Sequence, residues 1–104
     1  MLNGKEEREL KHLIIAKYHD TVSDKEEMFR RISELFSTWT EYPFLRGCQI
    51  IRNCIDRPNR YDVIIAVDLA PEDLPLWDGC ELHRQWKAAF GEALQAKAIF
   101  DAEI

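Results

Sequence analysis

Apolar residues alternate along the stretch from Glu9 to Tyr18 in a way that gives a β-strand two apolar faces. One face begins with a histidine and continues with apolar residues: His12, Ile14, Ala16 and Tyr18. The opposite face carries Leu13, Ile15 and Lys17. Since both faces are suited to burial, the stretch is predicted to be an interior strand of a sheet. A histidine at its start faces either a packed core or a pocket.

Two later stretches repeat apolar residues at helical spacing. In the first, a capping box of Ser23 and Glu26 predicts the helix start, and Thr40–Pro43 predicts its end. Its apolar stripe consists of Met28, Ile32, Leu35, Phe36 and Trp39. The second helix is predicted from Cys80 to about Ala96. Its stripe consists of Leu82, Trp86, Ala89, Phe90, Ala93 and Leu94.

Three further strands are predicted, at Leu45–Cys54, Tyr61–Leu69 and Ala98–Ile104. Gly47 is expected to mark a bulge in the first of them. Turn residues centred on Pro58–Asn59 separate the first two, which therefore form a hairpin. The resulting order, β-α-β-β-α-β, predicts an α+β, ferredoxin-like fold with a four-stranded antiparallel sheet.

Two helices can cover only one face of such a sheet. The other face carries Leu13, Ile15, Ile64 and Ala66, which are too apolar to be left in water. Pairing with a second copy across a two-fold axis would bury this face. The sequence therefore predicts a homodimer in which the two sheets form a dimeric α/β barrel.

The composition bears on the number of domains, the possible partners and the cellular compartment. The 104 residues are enough for a single domain, residues 1–104, with a flexible charged segment at residues 1–8. A net charge of −5 argues against a nucleic-acid partner. No apolar run approaches the roughly 20 residues of a membrane span. Three cysteines without a CxxC or zinc spacing predict a cytoplasmic protein without a metal site.

The segments KHLIIAKY, RYDVIIAVDL and AIFD, in this order, resemble the stress-responsive A/B barrel (Dabb) family of the dimeric α/β-barrel superfamily. The resemblance extends from about Glu9 to Ile104. A polyketide cyclase of that family uses two histidines. The first matches His12, in Lys-His-Leu-Ile. The second ends a His-Pro-x-His motif that is Cys-Glu-Leu-His here, so only His83 is retained, and a pocket tyrosine six residues earlier is replaced by Trp77.

Two histidines can divide acid–base work at neutral pH, because an imidazole titrates near about 6.5. In this interpretation His83 abstracts a proton and His12 positions a carbonyl or hydroxyl group. The predicted pocket between sheet and helices suits an aromatic or polyketide-like ligand, and its walls are Ile14, Ala16, Val63, Ile65, Trp77 and Trp86. No cofactor is expected. The same residues are also consistent with a packed core, and Cys80 could instead pair with His83 as thiolate and imidazole.

Three functions remain open at this point. The first is a cofactor-free acid–base cyclase or lyase. The second is a non-enzymatic stress-response or ligand-binding dimer, and the third is a cofactor-independent or haem-linked monooxygenase of the same superfamily. Asp62 and Asp68, which lie on the predicted third strand, are expected to pair with Lys17 or with nearby arginines rather than to act in catalysis.

Overall fold

The computed structural model describes residues 8–103 and confirms the predicted order of elements. The strands are β1 (Leu10–Tyr18), β2 (Leu45–Arg52), β3 (Val63–Leu69) and β4 (Leu94–Glu103). The helices of the described part are α1 (Lys25–Phe36), α2 (Leu74–Gly79) and α3 (Glu81–Phe90). The strands form one antiparallel sheet in the order β2-β3-β1-β4, which is an α+β, ferredoxin-like fold. As predicted, β1 is an interior strand.

The last helix is shorter than predicted, and the strand after it is longer. Helix α3 ends at Phe90, a 3-10 turn follows at Gly91–Ala93, and β4 begins at Leu94 rather than at Ala98. Leu94 pairs with Tyr18 of β1. The apolar residues here fit both a helical and an alternating period, and pairing with β1 decides between them.

The start of α1 also differs from the prediction. Asp24, not Ser23, is the N-cap, because its carboxylate Oδ1 accepts a hydrogen bond from the backbone N–H of Glu27 at 3.0 Å. Strands β2 and β3 are shorter than predicted at the hairpin, since β2 ends at Arg52 and β3 begins at Val63. The hairpin itself is confirmed.

The two aspartates of the third strand make structural pairs, but not with the predicted lysine. The Lys25 Nζ donates to Asp62 Oδ1 at 2.9 Å, and the backbone N–H of Tyr18 donates to Asp62 Oδ2 at 2.8 Å. The Lys11 Nζ donates to Asp68 Oδ1 at 2.6 Å. Lys17 instead donates to backbone carbonyls of the hairpin loop. The predicted pairing of these aspartates with Lys17 is therefore wrong.

The core lies between the helices and the sheet face that carries the even-numbered residues of β1. It consists mainly of Ile14, Ala16, Tyr18, Met28, Ile32, Phe36, Leu45, Val63, Ile65, Val67, Leu69, Trp77, Leu82, Trp86 and Phe90. The apolar residues of the predicted helix stripes pack against this sheet face. Ala89 is the exception: it was predicted to face the core, but it is exposed. This packing directs His12 toward the helices.

The opposite sheet face is uncovered in the described part of the chain. Leu13, Ile15 and Ile64 are half-buried there, while Phe100 of β4 is 58% exposed. Leu13 and Phe100 are register partners, so they share this face. Of the segment predicted to be flexible, residues 1–7 lie outside the described residues. Arg8 is described, and its Nε donates to Glu103 of β4 at 2.6 Å.

Gly47 sits at a bulge, as predicted, where β2 approaches β3 closely. The β2–β3 register shifts between Leu45 and Gly47. A Cβ atom at Gly47 would lie 2.7 Å from Asp68 Oδ2, the carboxylate that is paired with Lys11. A side chain larger than hydrogen therefore requires the Asp68 carboxylate to shift.

We expect Gly47→Ala to lower the free energy of unfolding by about 1–3 kcal/mol, as in other overpacked sites. Urea unfolding measures this change. The matched control is Gly91→Ala, because a Cβ at Gly91 meets no atom within 4 Å and the backbone is already helical, with φ −54°. The control is expected to be neutral or slightly stabilising. Equal effects at the two positions would contradict the close approach.

Candidate functional site

The buried His12 forms a dyad with a partly exposed aspartate of the neighbouring strand. The residue is 6% exposed, and its Nδ1 lies 2.6 Å from Asp101 Oδ1. His12 and Asp101 are register partners on β1 and β4, so the sheet itself sets their distance. A carboxylate only accepts hydrogen bonds, so Nδ1 carries the proton and donates it. The second ring nitrogen, Nε2, finds no partner among residues 8–103 and is left for other chemistry.

Trp77 lies against both histidines of the predicted pair. The His12 and Trp77 ring centroids are 6.2 Å apart in an edge-on arrangement, and those of Trp77 and His83 are 5.2 Å apart. Helix α2 carries Trp77 and the start of α3 carries His83, and the two helices meet at Cys80. The fold therefore brings both His12 and His83 next to one indole ring.

The indole N–H of Trp77 has no hydrogen-bond acceptor. The side chain is fully buried, and Nε1 is the one buried side-chain nitrogen or oxygen of the described residues without a partner. A buried donor without a partner costs roughly 1–3 kcal/mol. Such a group is uncommon in native proteins and calls for a functional or structural explanation.

The surroundings of His83 favour the neutral form of its imidazole. Burial lowers the pKa of its imidazole, and the charges of Lys87 and Lys97 act in the same direction. A hydrogen bond from Nδ1 to the backbone carbonyl of Asp78, 3.1 Å long, opposes this shift. Because a carbonyl only accepts, Nδ1 carries the proton and Nε2 has a free lone pair. His83 is therefore arranged as a base rather than as an acid.

The lowered pKa of His83 predicts a pH-dependent stability. The unfolded chain binds a proton near pH 6.5 where the folded chain does not, so the free energy of unfolding falls as the pH drops below about 6.5. Above that pH both states are neutral and the effect vanishes. We expect the loss between pH 7.5 and 5.5, measured by urea unfolding, to be smaller in His83→Gln. The matched control is His19→Gln, at an exposed position. An unchanged loss in His83→Gln would contradict this prediction.

The six predicted pocket walls all lie in the packed core. Each is at most 2% exposed: Ile14, Ala16, Val63, Ile65, Trp77 and Trp86. Two surface cavities of the described chain lie elsewhere. One, of about 790 Å³, is bounded by Tyr18, Phe29 and Arg52, and the other, of about 780 Å³, separates α1 from α3. The indoles thus fill the space between sheet and helices, and their role as pocket walls stays a prediction.

The open side of the site is the helix-facing surface of β4. Asp101 has 40% of its side chain exposed, and Ile99, two residues earlier on the same face, is 50% exposed. Ile99 is the register partner of Ile14, so it faces the helices' side of the sheet. A ligand that reaches the dyad would approach over this surface.

Sequence reasoning overlooked Asp101. The signal lay in the segment AIFD, but its aspartate is separated from His12 by 89 residues, and only the β1–β4 register joins them.

Cys80, by contrast, gains no catalytic contact: it is the N-cap of α3, and the imidazole of His83 bonds Asp78 instead. No group of three potential metal ligands occurs among residues 8–103. Nor does that part contain a helix with the length and hydropathy of a membrane span.

Comparison with known proteins identifies the fold. No protein-family model and no curated protein matches the sequence. A solved dabb family protein with a ferredoxin-like fold, from Mesorhizobium loti, is similar with a TM-score of 0.68 at 10% identity, over 91% of this chain and 95% of that one. This chain has the fold of a dabb family protein. The predicted resemblance is confirmed at that level.

Two further solved structures share the Dabb-like fold. A dimeric protein of unknown function from Bacteroides fragilis aligns with a TM-score of 0.78 at 15% identity, covering 92% of this chain and 96% of that one. The hydroxynitrile lyase from Passiflora edulis aligns with a TM-score of 0.72 at 12% identity, covering 92% and 93%. The fold therefore occurs both in a dimer without a known function and in a lyase.

Proposed function

We propose that the protein is a cofactor-free acid–base lyase or cyclase whose ligand is a small aromatic or polyketide-like compound with a hydroxyl or carbonyl group. The observation that carries the proposal is the His12–Asp101 dyad next to Trp77, with His83 next to the same indole ring. The occurrence of this fold in a hydroxynitrile lyase supports a lyase among the possible activities.

The two imidazoles have complementary roles in this proposal. His83 Nε2 takes a proton from the substrate, since the Nδ1 proton is engaged by the carbonyl of Asp78. His12 orients the substrate through Nε2, whose free lone pair accepts a hydrogen bond from a substrate hydroxyl group. Asp101 fixes the orientation and the tautomer of the His12 ring, as a carboxylate does for a catalytic histidine.

Cleavage of mandelonitrile, an aromatic hydroxynitrile, is a suitable first test reaction. The base removes the hydroxyl proton, the carbon–cyanide bond breaks, and benzaldehyde and cyanide leave, the cyanide being protonated by the histidine. If the wild type releases benzaldehyde, we expect His83→Ala and Asp101→Asn each to lower kcat by about 100-fold or more. His19→Ala, at an exposed position, is the matched control and should be unaffected. Equal rates in all variants would refute the site.

We also propose that the protein is a cytoplasmic homodimer that pairs through the open sheet face. The support is the apolar surface around Leu13, Ile15 and Phe100, which a folded monomer would leave in water. The similarity in fold to a dimeric protein adds to this support. Three free thiols, Cys48, Cys54 and Cys80, are in keeping with a reducing compartment.

One observation favours a second function, a non-enzymatic dimer that holds a ligand. The predicted pocket walls, which include Trp77 and Trp86, are packed in the core, and each of them is at most 2% exposed. A site this filled has little room for a reacting molecule. Binding of aromatic compounds without turnover of any tested hydroxynitrile or polyketide-like substrate would favour this function.

A further inference from the structure

A separate cavity lies at the other end of β1 from His12. It has a volume of about 790 Å³, lies between the start of α1 and the loop of the β2–β3 hairpin, and has Tyr18 in its wall. We call it the hairpin cavity. His12 and Tyr18 are six residues apart on the same face of an extended strand, which corresponds to roughly 20 Å. The hairpin cavity is therefore distinct from the proposed acid–base site, and its volume is typical of small-molecule sites.

Tyr18 is almost wholly buried, but its hydroxyl group has no hydrogen-bond partner among residues 8–103. The residue is 4% exposed and lines the hairpin cavity. The indole nitrogen of Trp77 is the one fully buried side-chain nitrogen or oxygen of these residues without a partner, so the Tyr18 oxygen is accessible from the cavity. Burial, and after it the charge of Asp62, raises the pKa of the phenol to about 12. The hydroxyl group therefore stays protonated at neutral pH and can donate a hydrogen bond into the cavity.

Arg52 has hydrogen-bond donors without a partner at the same cavity. Its guanidinium group lies over the ring of Phe29, with Cζ 5.8 Å from the ring centroid, and this contact orients the group. Within residues 8–103, the one carboxylate near it is that of Glu26, whose Oε1 is 3.7 Å from Nη1, too far for a hydrogen bond. A planar guanidinium group with free N–H groups is suited to bind a carboxylate through two parallel hydrogen bonds.

Carboxylates outnumber cations in the wall of the hairpin cavity. Four carboxylates and two cations give the wall a formal charge of −2, and they are Asp24, Glu26, Asp56, Asp62, Lys25 and Arg52. Two of the carboxylates are engaged, since Asp24 caps α1 and Asp62 accepts a hydrogen bond from Lys25. Asp56 is exposed and takes part in none of the ion pairs of residues 8–103. A wall of this charge disfavours a simple anion, but it suits a ligand that carries an ammonium group beside its carboxylate.

We propose that the hairpin cavity binds a small amino carboxylate, an amino acid with an apolar side chain. Arg52 and the hydroxyl group of Tyr18 donate hydrogen bonds to its carboxylate, and Asp56 accepts hydrogen bonds from its ammonium group. The apolar side chain packs against Phe29 and Ile55, which also line the cavity. Each charge of the ligand then has a partner of opposite charge, which offsets the cost of removing it from water. This proposal is independent of the acid–base function, because it uses none of the residues of that site.

Isothermal titration calorimetry of the intact protein with three probes tests this proposal. L-phenylalanine carries both charges, phenethylammonium only the positive one and phenylpropanoate only the negative one, on the same ring and carbon chain. We expect L-phenylalanine to bind most tightly. Arg52→Gln and Asp56→Asn should each weaken its binding roughly tenfold or more, and Tyr18→Phe about threefold, the effects of losing a charged and a neutral hydrogen-bonding group. The matched control is Arg57→Gln, at an exposed arginine of the same loop that does not line the cavity.

An ¹H–¹⁵N NMR titration shows where L-phenylalanine binds. The backbone signals of Tyr18 and Arg52 should shift, and that of His12 should not. If phenethylammonium binds as tightly as L-phenylalanine, the roles of Arg52 and Tyr18 are wrong, and if phenylpropanoate does, the role of Asp56 is wrong. Absence of binding at millimolar concentration, or shifts centred on His12, would refute the hairpin site, whether or not mandelonitrile is cleaved. Should a variant fail to fold, the three probes with the wild type decide.

Discussion

Phe100→Asp should convert the proposed dimer into a monomer. Phe100 lies on the open sheet face beside its register partner Leu13 and is 58% exposed within one chain. Pairing of two such faces would bury one new carboxylate from each copy in apolar surroundings. Since a buried, unpaired charge costs several kcal/mol, the dissociation constant should rise by roughly a thousandfold or more. Sedimentation equilibrium measures the change.

The neighbouring residue provides a matched control for this substitution. Ile99 lies on the same strand and is 50% exposed, but it faces the helix side of the sheet, toward the proposed site. Ile99→Asp should therefore leave the dimer intact while it weakens binding of an aromatic ligand. If Ile99→Asp dissociates the dimer and Phe100→Asp does not, the dimer interface lies on the helix side of the sheet, and the proposed interface is wrong. A monomeric wild type would remove the proposed dimer altogether.

Trp86→Ala should lower the free energy of unfolding by about 3–5 kcal/mol, which is a large part of the stability of a domain of this size. The indole is 1% exposed and packs edge-on against Phe36, with ring centroids 5.8 Å apart. Its removal leaves a cavity that the surrounding side chains cannot fill completely. Thermal and urea unfolding measure the loss. Leu76→Ala, at a position 53% exposed, is the control and should change stability little.

Added indole should partly restore Trp86→Ala, because an apolar cavity of matching shape binds an apolar ligand. Restoration would confirm that Trp86 fills the space between sheet and helices. If Trp86→Ala instead costs less than about 1 kcal/mol, Trp86 lines an open space, and the predicted pocket is there after all.

The strands and their faces could be predicted from local pattern because their periods are distinct. Residues of β1 alternate over nine positions, and the face that begins with His12 is the one that the structure buries. The end of α3 could not be predicted in this way. Ala93 and Leu94 fit both periods, and Leu94 joins the sheet because it pairs with Tyr18. Tertiary pairing outweighed local spacing there.

The site shows the same division. Sequence alone indicated His12 and His83, since each stands in a motif that can be compared with a known family. It could not indicate Asp101, because no local pattern links residues that are 89 positions apart. Nor could it show that Trp77 would lie next to both imidazoles with its N–H unsatisfied. Both features depend on strand register and on the packing of helices.

The sequence by itself determined the order of elements, the ferredoxin-like topology and the two apolar faces of the sheet, because these follow from periodicity along a continuous stretch. The tertiary structure decided which groups meet: the His12–Asp101 dyad, the indole next to two histidines, and a core in which the predicted pocket walls are buried. Contacts between distant residues depend on the register of paired strands and on the volumes of packed side chains, and neither is encoded in local spacing.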